Sequence, residues 1–225
     1  MDETASQRTV RVSIVEDEVL LCSLLARTLD ADPRLRVVHT ARGVQEAALL
    51  ITPGSTDVAI LDVNLTDGNG ISLGVQLQRA DPRLSIMLLS GEDFTGLFTA
   101  VQQEVSRPWS YLSKKSTFTR DVLVRAVHAC AEGRVVIDPD LARTAQPRRG
   151  SRVSALTPAQ LRVVRLVAQG LTNRLIAERL KIQEQSVEAH LVAAYRTLEL
   201  DSTRTNRRVA AVLAFLEQTG RIAAR

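Results

Sequence analysis

Aromatic residues make up only 3% of this 225-residue chain, so a core has to be assembled from Leu, Val, Ile and Ala, as in an α/β or all-α protein. Cysteine is almost absent. Cys22 and Cys130 lie far apart with no CxxC or Cys/His pattern, which argues against a cysteine metal cage or a disulfide and leaves buried free thiols as the expected reading. No apolar run approaches the roughly 20 residues that a membrane helix needs. The start, Met1 to Thr9, is polar and has no apolar stretch of the signal-peptide kind. A cytoplasmic protein without a membrane partner is expected.

Charge is present and unevenly placed. Residues 1–133 hold 13 basic and 17 acidic side chains, a net of −4, whereas residues 134–225 hold 16 and 8, a net of +8. The length permits two separate cores, and the basic second half suits a polyanionic partner, of which nucleic acid is the commonest.

The first half alternates strand and helix patterns. Val10 to Val15 reads as a strand that stops at Glu16-Asp17-Glu18, and Val19 to Leu29 has helical spacing up to Asp32-Pro33. Strands follow at Leu35 to Thr40, Thr56 to Asp62, Ser85 to Ser90 and Trp109 to Ser113. Helices are expected at Val44 to Ile51, Ile71 to Ala80, Phe94 to Val105 and Thr119 to Ala131, the last stopped by Gly133. Five such pairs predict a doubly wound, five-stranded parallel sheet, and its common order 2-1-3-4-5 sets strands one and three side by side.

That order brings Glu16 and Asp17 beside Asp62, which ends the apolar run Val58-Ala59-Ile60-Leu61. Ser90 and Lys114 reach the same edge. Read singly, Asp62 is equally a turn residue or the cap of the helix near Gly70, Ser90 a strand-end residue, Tyr111 a core aromatic and Lys114 a solvated cation. Together they compose a site. Three crowded carboxylates repel one another until a hard divalent cation with oxygen ligands, Mg2+ above all, relieves them. A carboxylate beside such a cation and an ammonium can attack a phosphoryl donor and form an acyl phosphate.

Residues 10–131 resemble a response-regulator receiver domain. The resemblance implies that Glu16 and Asp17 are the acidic pair for Mg2+, Asp62 is the phosphoacceptor and a metal ligand, and Asn64 supplies a backbone carbonyl to the metal. It further implies that Ser90 is the switch hydroxyl, Tyr111 the switch aromatic and Lys114 the site lysine. Glu16 departs from the usual Asp while keeping the charge. Thr66 stands where Pro is usual, a change expected to affect only the rigidity of the loop.

After Gly133 the stretch 133–153 loses apolar periodicity and gains Pro, Gly and Arg, and reads as a linker between domains at 8–132 and 154–220. Leu156-Thr157-Pro158-Ala159-Gln160 then carries a full helix-start signal, with Gly170 as the stop. Further helices are expected from Thr172 to Leu180, from the turn at Lys181–Glu184 to Leu198, and from Arg207 to Gln218, giving an all-α domain of four helices.

The second and third of these fit a helix-turn-helix. Leu156-Thr157-Pro158, Ala168 to Asn173, Ile176 to Leu180 and Ser186-Val187 with His190 make the segment similar to LuxR-type DNA-binding domains. The whole chain resembles the NarL/FixJ type of response regulator. This implies a sensor histidine kinase and double-stranded DNA as partners, a homodimer on phosphorylation or DNA binding, and no enzymatic activity beyond accepting a phosphoryl group. The DNA-contact candidates are Arg174, Lys181, Gln185, Ser186, Glu188, Ala189, Val192 and Arg196, with Arg179, Arg204, Arg207 and Arg208 as further phosphate contacts. Glu188, Ala189 and Val192 depart from the Lys or polar residues usual there, and Glu199 replaces the usual Gly. Two other readings stand beside this one: a helical domain that binds protein partners, and, from Asp62-Val63-Asn64-Leu65-Thr66, an aspartyl-phosphate phosphatase.

Overall fold

The structure, a computed structural model, describes residues 8–91, 101–102, 105–200 and 206–220. The helix expected over Phe94 to Val105 lies almost wholly outside the described residues. The chain divides into two compact units, Met1–Asp93 with Val105–Gly133, and one that holds Arg134–Arg225.

In the first unit, β1 (Val10–Val15), β2 (Leu35–Ala41), β3 (Val58–Asp62), β6 (Ser85–Ser90) and β7 (Ser110–Ser113) form a parallel sheet in the order β2-β1-β3-β6-β7. This is the expected 2-1-3-4-5 winding. The extra numbers belong to a small antiparallel pair, β4 (Asn64–Leu65) with β5 (Gly68–Asn69), that the sequence pattern did not reveal. Helices α1 (Val19–Asp30), α2 (Val44–Leu50), α3 (Gly70–Ala80), α4 (Lys114–Thr117) and α5 (Arg120–Ala131) complete the unit among the described residues. Every residue of β3 and β6 is buried, because layers cover both faces of a parallel sheet, and their sequences are accordingly apolar runs rather than alternations. On α1 the buried stripe is Leu21, Leu25 and Leu29, and the Leu20 and Leu24 of the same spacing face outward.

A polar knot ties α3 to the sheet. Gln78, 2% exposed, accepts a hydrogen bond from Trp109 Nε1 at 3.0 Å, and its Nε2 donates to the carbonyls of Leu84 and Arg107, each at 3.1 Å. Buried polar groups are tolerated only when paired in this way. Gly74 lets the indole approach, since a Cβ there would stand 2.7 Å from the Trp109 ring.

In the second unit, α7 (Pro158–Ala168), α8 (Asn173–Leu180), α9 (Glu184–Thr197) and α10 (Arg207–Glu217) are the four expected helices, preceded by α6 (Pro139–Thr144). Thr157 and Gln160 close the capping box at α7. The stretch 133–153, read from its composition as a linker, carries structure. Asp138 accepts from the backbone N–H groups of Asp140 at 3.0 Å and Leu141 at 3.2 Å, so Asp138-Pro139 is a helix start rather than loop punctuation. Val135, Val136, Ile137, Ala142, Ala145 and Val153 are buried. Ile137 N donates to Ala168 O at 2.6 Å, and β8 (Gln146–Pro147) pairs with β9 (Thr219–Gly220) near the far end of the unit.

Gln78→Leu removes three buried hydrogen bonds at once. At about 1 kcal/mol each, it should cost the first unit roughly 2–4 kcal/mol in urea denaturation. An unchanged midpoint would mean that the knot contributes nothing.

Candidate functional site

The carboxyl edge of the sheet gathers the expected side chains. Glu16 and Asp17 follow β1, Asp62 ends β3, and each offers a carboxylate oxygen such that the three lie within 4.8 Å of one another. Lys114, the first residue of α4, donates from Nζ to Glu16 Oε1 at 2.8 Å and to Asp62 Oδ2 at 2.9 Å. Asp62 Oδ1 accepts from Asn64 N at 3.3 Å, and Glu16 Oε1 also accepts from Glu18 N at 3.2 Å. Ser90 closes β6 in the strand beside Asp62, fully buried, and Tyr111 on β7 is 4% exposed. Asn64 itself is exposed.

The electrostatics follow from burial. Glu16 is 0% exposed, and burial pushes its carboxyl above the usual carboxylate range, against the hydrogen bond from Lys114 that pulls it down. Burial works to lower the Lys114 ammonium, but its bonds to Glu16 and Asp62 outweigh this and hold it above the ordinary lysine value. One ammonium therefore offsets two of the three acids. Glu16 Oε2 is buried and has no hydrogen-bond partner. An all-oxygen donor set with an unpaired buried carboxylate oxygen and excess negative charge fits a hard divalent cation.

The loop after Asp62 differs from what its composition implied. Asn69, not Asp62, caps α3: its side chain accepts from Ile71 N at 2.8 Å and Ser72 N at 3.3 Å, which leaves Asp62 to the site. Gly70 is required by proximity, since a Cβ there would fall 1.9 Å from the Asp62 carbonyl oxygen. Thr66 does more than alter loop rigidity. Its backbone N donates to Asp17 Oδ2 at 3.0 Å and its hydroxyl donates to the same oxygen, neither of which a proline can do. Asp67 caps α2 by accepting from Val44 N at 2.8 Å and Gln45 N at 3.1 Å, and these bonds hold its carboxyl below the usual range. Nothing at these positions but the departure at Thr66 pointed to such contacts.

In the second unit, α8 and α9 are joined at Lys181, whose φ of 54° makes the turn. Val187, Leu191 and Ala194 of α9 are buried, whereas Gln185, Ser186, Glu188, Ala189, Val192 and Arg196 are exposed, as are Arg174 and Lys181. All eight contact candidates are thus on the surface. The arginines divide. Arg174 pairs with Glu178 at 3.0 Å, Arg207 lies 5.7 Å over the Tyr195 ring, and Arg204 is outside the described residues. Arg208 is a structural residue rather than a free phosphate contact: it donates to Asn173 Oδ1 at 2.8 Å and to the Leu171 carbonyl, and burial lowers its guanidinium below the usual arginine value. Glu199 occupies a left-handed turn with φ of 52°, at a cost of about 1 kcal/mol against Gly, and pairs with Arg152 at 2.6 Å.

Glu16 binds its proton more tightly folded than unfolded. Its contribution to stability is therefore complete below the ordinary carboxylate pKa and is lost as pH rises through the raised value. Urea melts in chelator between about pH 4 and about pH 8 should show wild type losing more stability than Glu16→Gln. Parallel pH profiles would contradict this.

Comparison with known proteins agrees with the geometry. Residues 12–128 match the response regulator receiver domain family, and residues 154–214 match the luxR family of bacterial regulatory proteins. The chain is 31% identical over 216 residues to the nitrate/nitrite response regulator protein NarP of Escherichia coli K12, covering 93% of this chain and 96% of that protein. It is also 31% identical over 188 residues to the DNA-binding transcriptional activator DevR/DosR of Mycobacterium tuberculosis, covering 81% and 85%. A solved structure of the RcsB response regulator of Salmonella typhimurium shares the fold, with a TM-score of 0.53 and 21% identity over 93% of this chain and 98% of that one. These relatives are regulators by name and not phosphatases. With the acid cluster and Lys114 at the sheet edge of the first unit and a helix-turn-helix in the second, the chain belongs to the response regulators of the NarL/FixJ type, a receiver domain followed by a LuxR-family domain.

Proposed function

We propose that this protein is phosphorylated on Asp62 by a sensor histidine kinase and controls transcription by binding double-stranded DNA through its second unit. The observation that carries the first half is Lys114 Nζ, held between Glu16 and Asp62 at the rim of the sheet. Asp62 attacks the phosphorus of a phosphohistidine in line; the new P–O bond forms as the P–N bond breaks, and the imidazole nitrogen leaves and takes up a proton. Lys114 and the backbone N of Asn64 hold the Asp62 carboxylate in place for that attack. Glu16, Asp17, Asp62 and the Asn64 carbonyl would hold Mg2+, which would supply neutralisation of the phosphoryl oxygens. Lys114 then pairs with the phosphoryl group, and Ser90 donates a hydrogen bond to one of its oxygens. Ser90 and Tyr111 stand on adjoining strands, β6 and β7, so the movement of one is felt at the other. The outcome is a homodimer on DNA, in keeping with a cytoplasmic regulator. Among the described residues, no helix is long and apolar enough to cross a membrane.

The second half is supported by the exposed face of α9 with Lys181 and Arg196 at its two ends. A second reading, a protein partner on that face, is favoured by the exposure of Ile182 and Val192 at 37% and 39%. Salt separates them, because phosphate contacts release counterions and protein contacts do not.

With Mg2+ and a small acyl-phosphate donor, wild type should gain one phosphoryl group by intact mass, and Asp62→Asn should lose at least about a hundredfold in rate. Phosphate that persists undiminished on Asp62→Asn would place the acceptor elsewhere. Binding to genomic fragments should weaken steeply with salt, and Arg196→Ala should lower the log–log slope by about 1. A flat salt dependence would favour the protein partner.

A further inference from the structure

The outward stripe of α9 has a composition that narrows what it can read. At 100° per residue, Gln185, Glu188, Ala189, Val192 and Arg196 fall within roughly a third of the helix circumference, opposite the buried Val187, Leu191 and Ala194. From Glu184 through Tyr195 there is neither Lys nor Arg. The commonest base-specific contact, a basic side chain on guanine O6 and N7, is therefore unavailable over the centre of the helix.

Besides the amide of Gln185 at its start and Arg196 at its end, the stripe offers one carboxylate acceptor, Glu188, and two small apolar groups. Among the described residues Glu178 is neutralised by Arg174 at 3.0 Å, whereas no ion pair engages Glu188. A carboxylate that enters a groove walled by phosphates is penalised by desolvation and by repulsion unless a donor meets it. On the major-groove edge the donor suited to a carboxylate is the cytosine N4 amino group. Ala189 and Val192, the latter 39% exposed, lose water only if they meet an apolar group, and the sole one on that edge is the thymine 5-methyl. Glu188 to Val192 spans about 6 Å of helix, or about two base-pair steps of 3.4 Å.

We propose that the exposed face of α9 reads pyrimidines: Glu188 accepts from a cytosine amino group, and Ala189 and Val192 pack on thymine methyl groups within the same two or three base pairs. Arg196 and Lys181, at the two ends of the stripe, hold phosphates and fix the register without specifying sequence. The inference rests on the DNA-binding reading above and adds the base classes to it. It also accounts for an acidic, apolar surface on the basic half of the chain, since each unusual residue has a partner in the groove.

The test uses the full chain, phosphorylated with the acyl-phosphate donor, in selection from random duplexes at fixed low salt. The selected site should contain a cytosine flanked by thymines on one strand. Replacing those thymines with deoxyuracil, which lacks the methyl group, should weaken binding about fourfold per methyl. Glu188→Ala should lose discrimination at the cytosine position by about tenfold, and Glu188→Gln should move the preference there toward adenine. Glu188 is on the surface, so folding is not at issue in either variant. A selected site that tolerates deoxyuracil and keeps its preferences in both Glu188 variants overturns the pyrimidine code while leaving DNA binding intact. If no duplex is retained even at low salt, the DNA-binding reading falls and this inference with it.

Discussion

The receiver unit depends on a charge problem set by its sheet. Parallel strands β1 and β3 lie side by side and end at the same edge, so the acids that terminate them are forced together. Lys114, delivered by the end of β7 and the first turn of α4, brings a cation to this arrangement and bonds two of its acids. The compensation is incomplete, because one ammonium bonds only two of the three carboxylates and one buried oxygen of Glu16 stays without a partner. A site left with unbalanced negative charge favours whatever brings positive charge to it. The chemistry assigned to Asp62 begins from that imbalance.

Much of this was legible from residue order. The runs Val58 to Leu61 and Ile86 to Leu89 are apolar without alternation because both faces are covered, and that signal needs no structure. Glu16, Asp17, Asp62, Ser90 and Lys114 could be placed together because strand order in such sheets is restricted. The hairpin of β4 and β5 was not legible, since two-residue strands have no periodicity to detect. Nor were the bonds from Thr66 to Asp17 and from Asp67 to α2, which join residues distant in sequence through short side chains. Composition misled most clearly at 134–153, where Pro, Gly and Arg suggested a tether while Val135, Val136 and Ile137 pointed to burial.

The two units solve opposite electrostatic tasks. The first concentrates acid in a small volume at a sheet edge. The second carries the net positive charge, yet keeps it away from the centre of its exposed helix face and commits Arg208 to the carbonyl of Leu171 and the side chain of Asn173. Counting basic residues alone would have assigned Arg208 to an external ligand; its bonds assign it to the α7–α8 turn.

The pairing of β8 with β9 has a consequence for what counts as a portable module. The luxR-family match spans residues 154–214, but Gln146–Pro147 and Thr219–Gly220 lie beyond it on either side and are hydrogen-bonded to each other. Ile137 adds a bond to the last carbonyl of α7 from still further upstream. A gene fusion cut at the borders of the family match would discard both edges of this clasp and expose the ends of α7 and α10. A piece that keeps the clasp whole has to start upstream of Ile137 and run through Gly220.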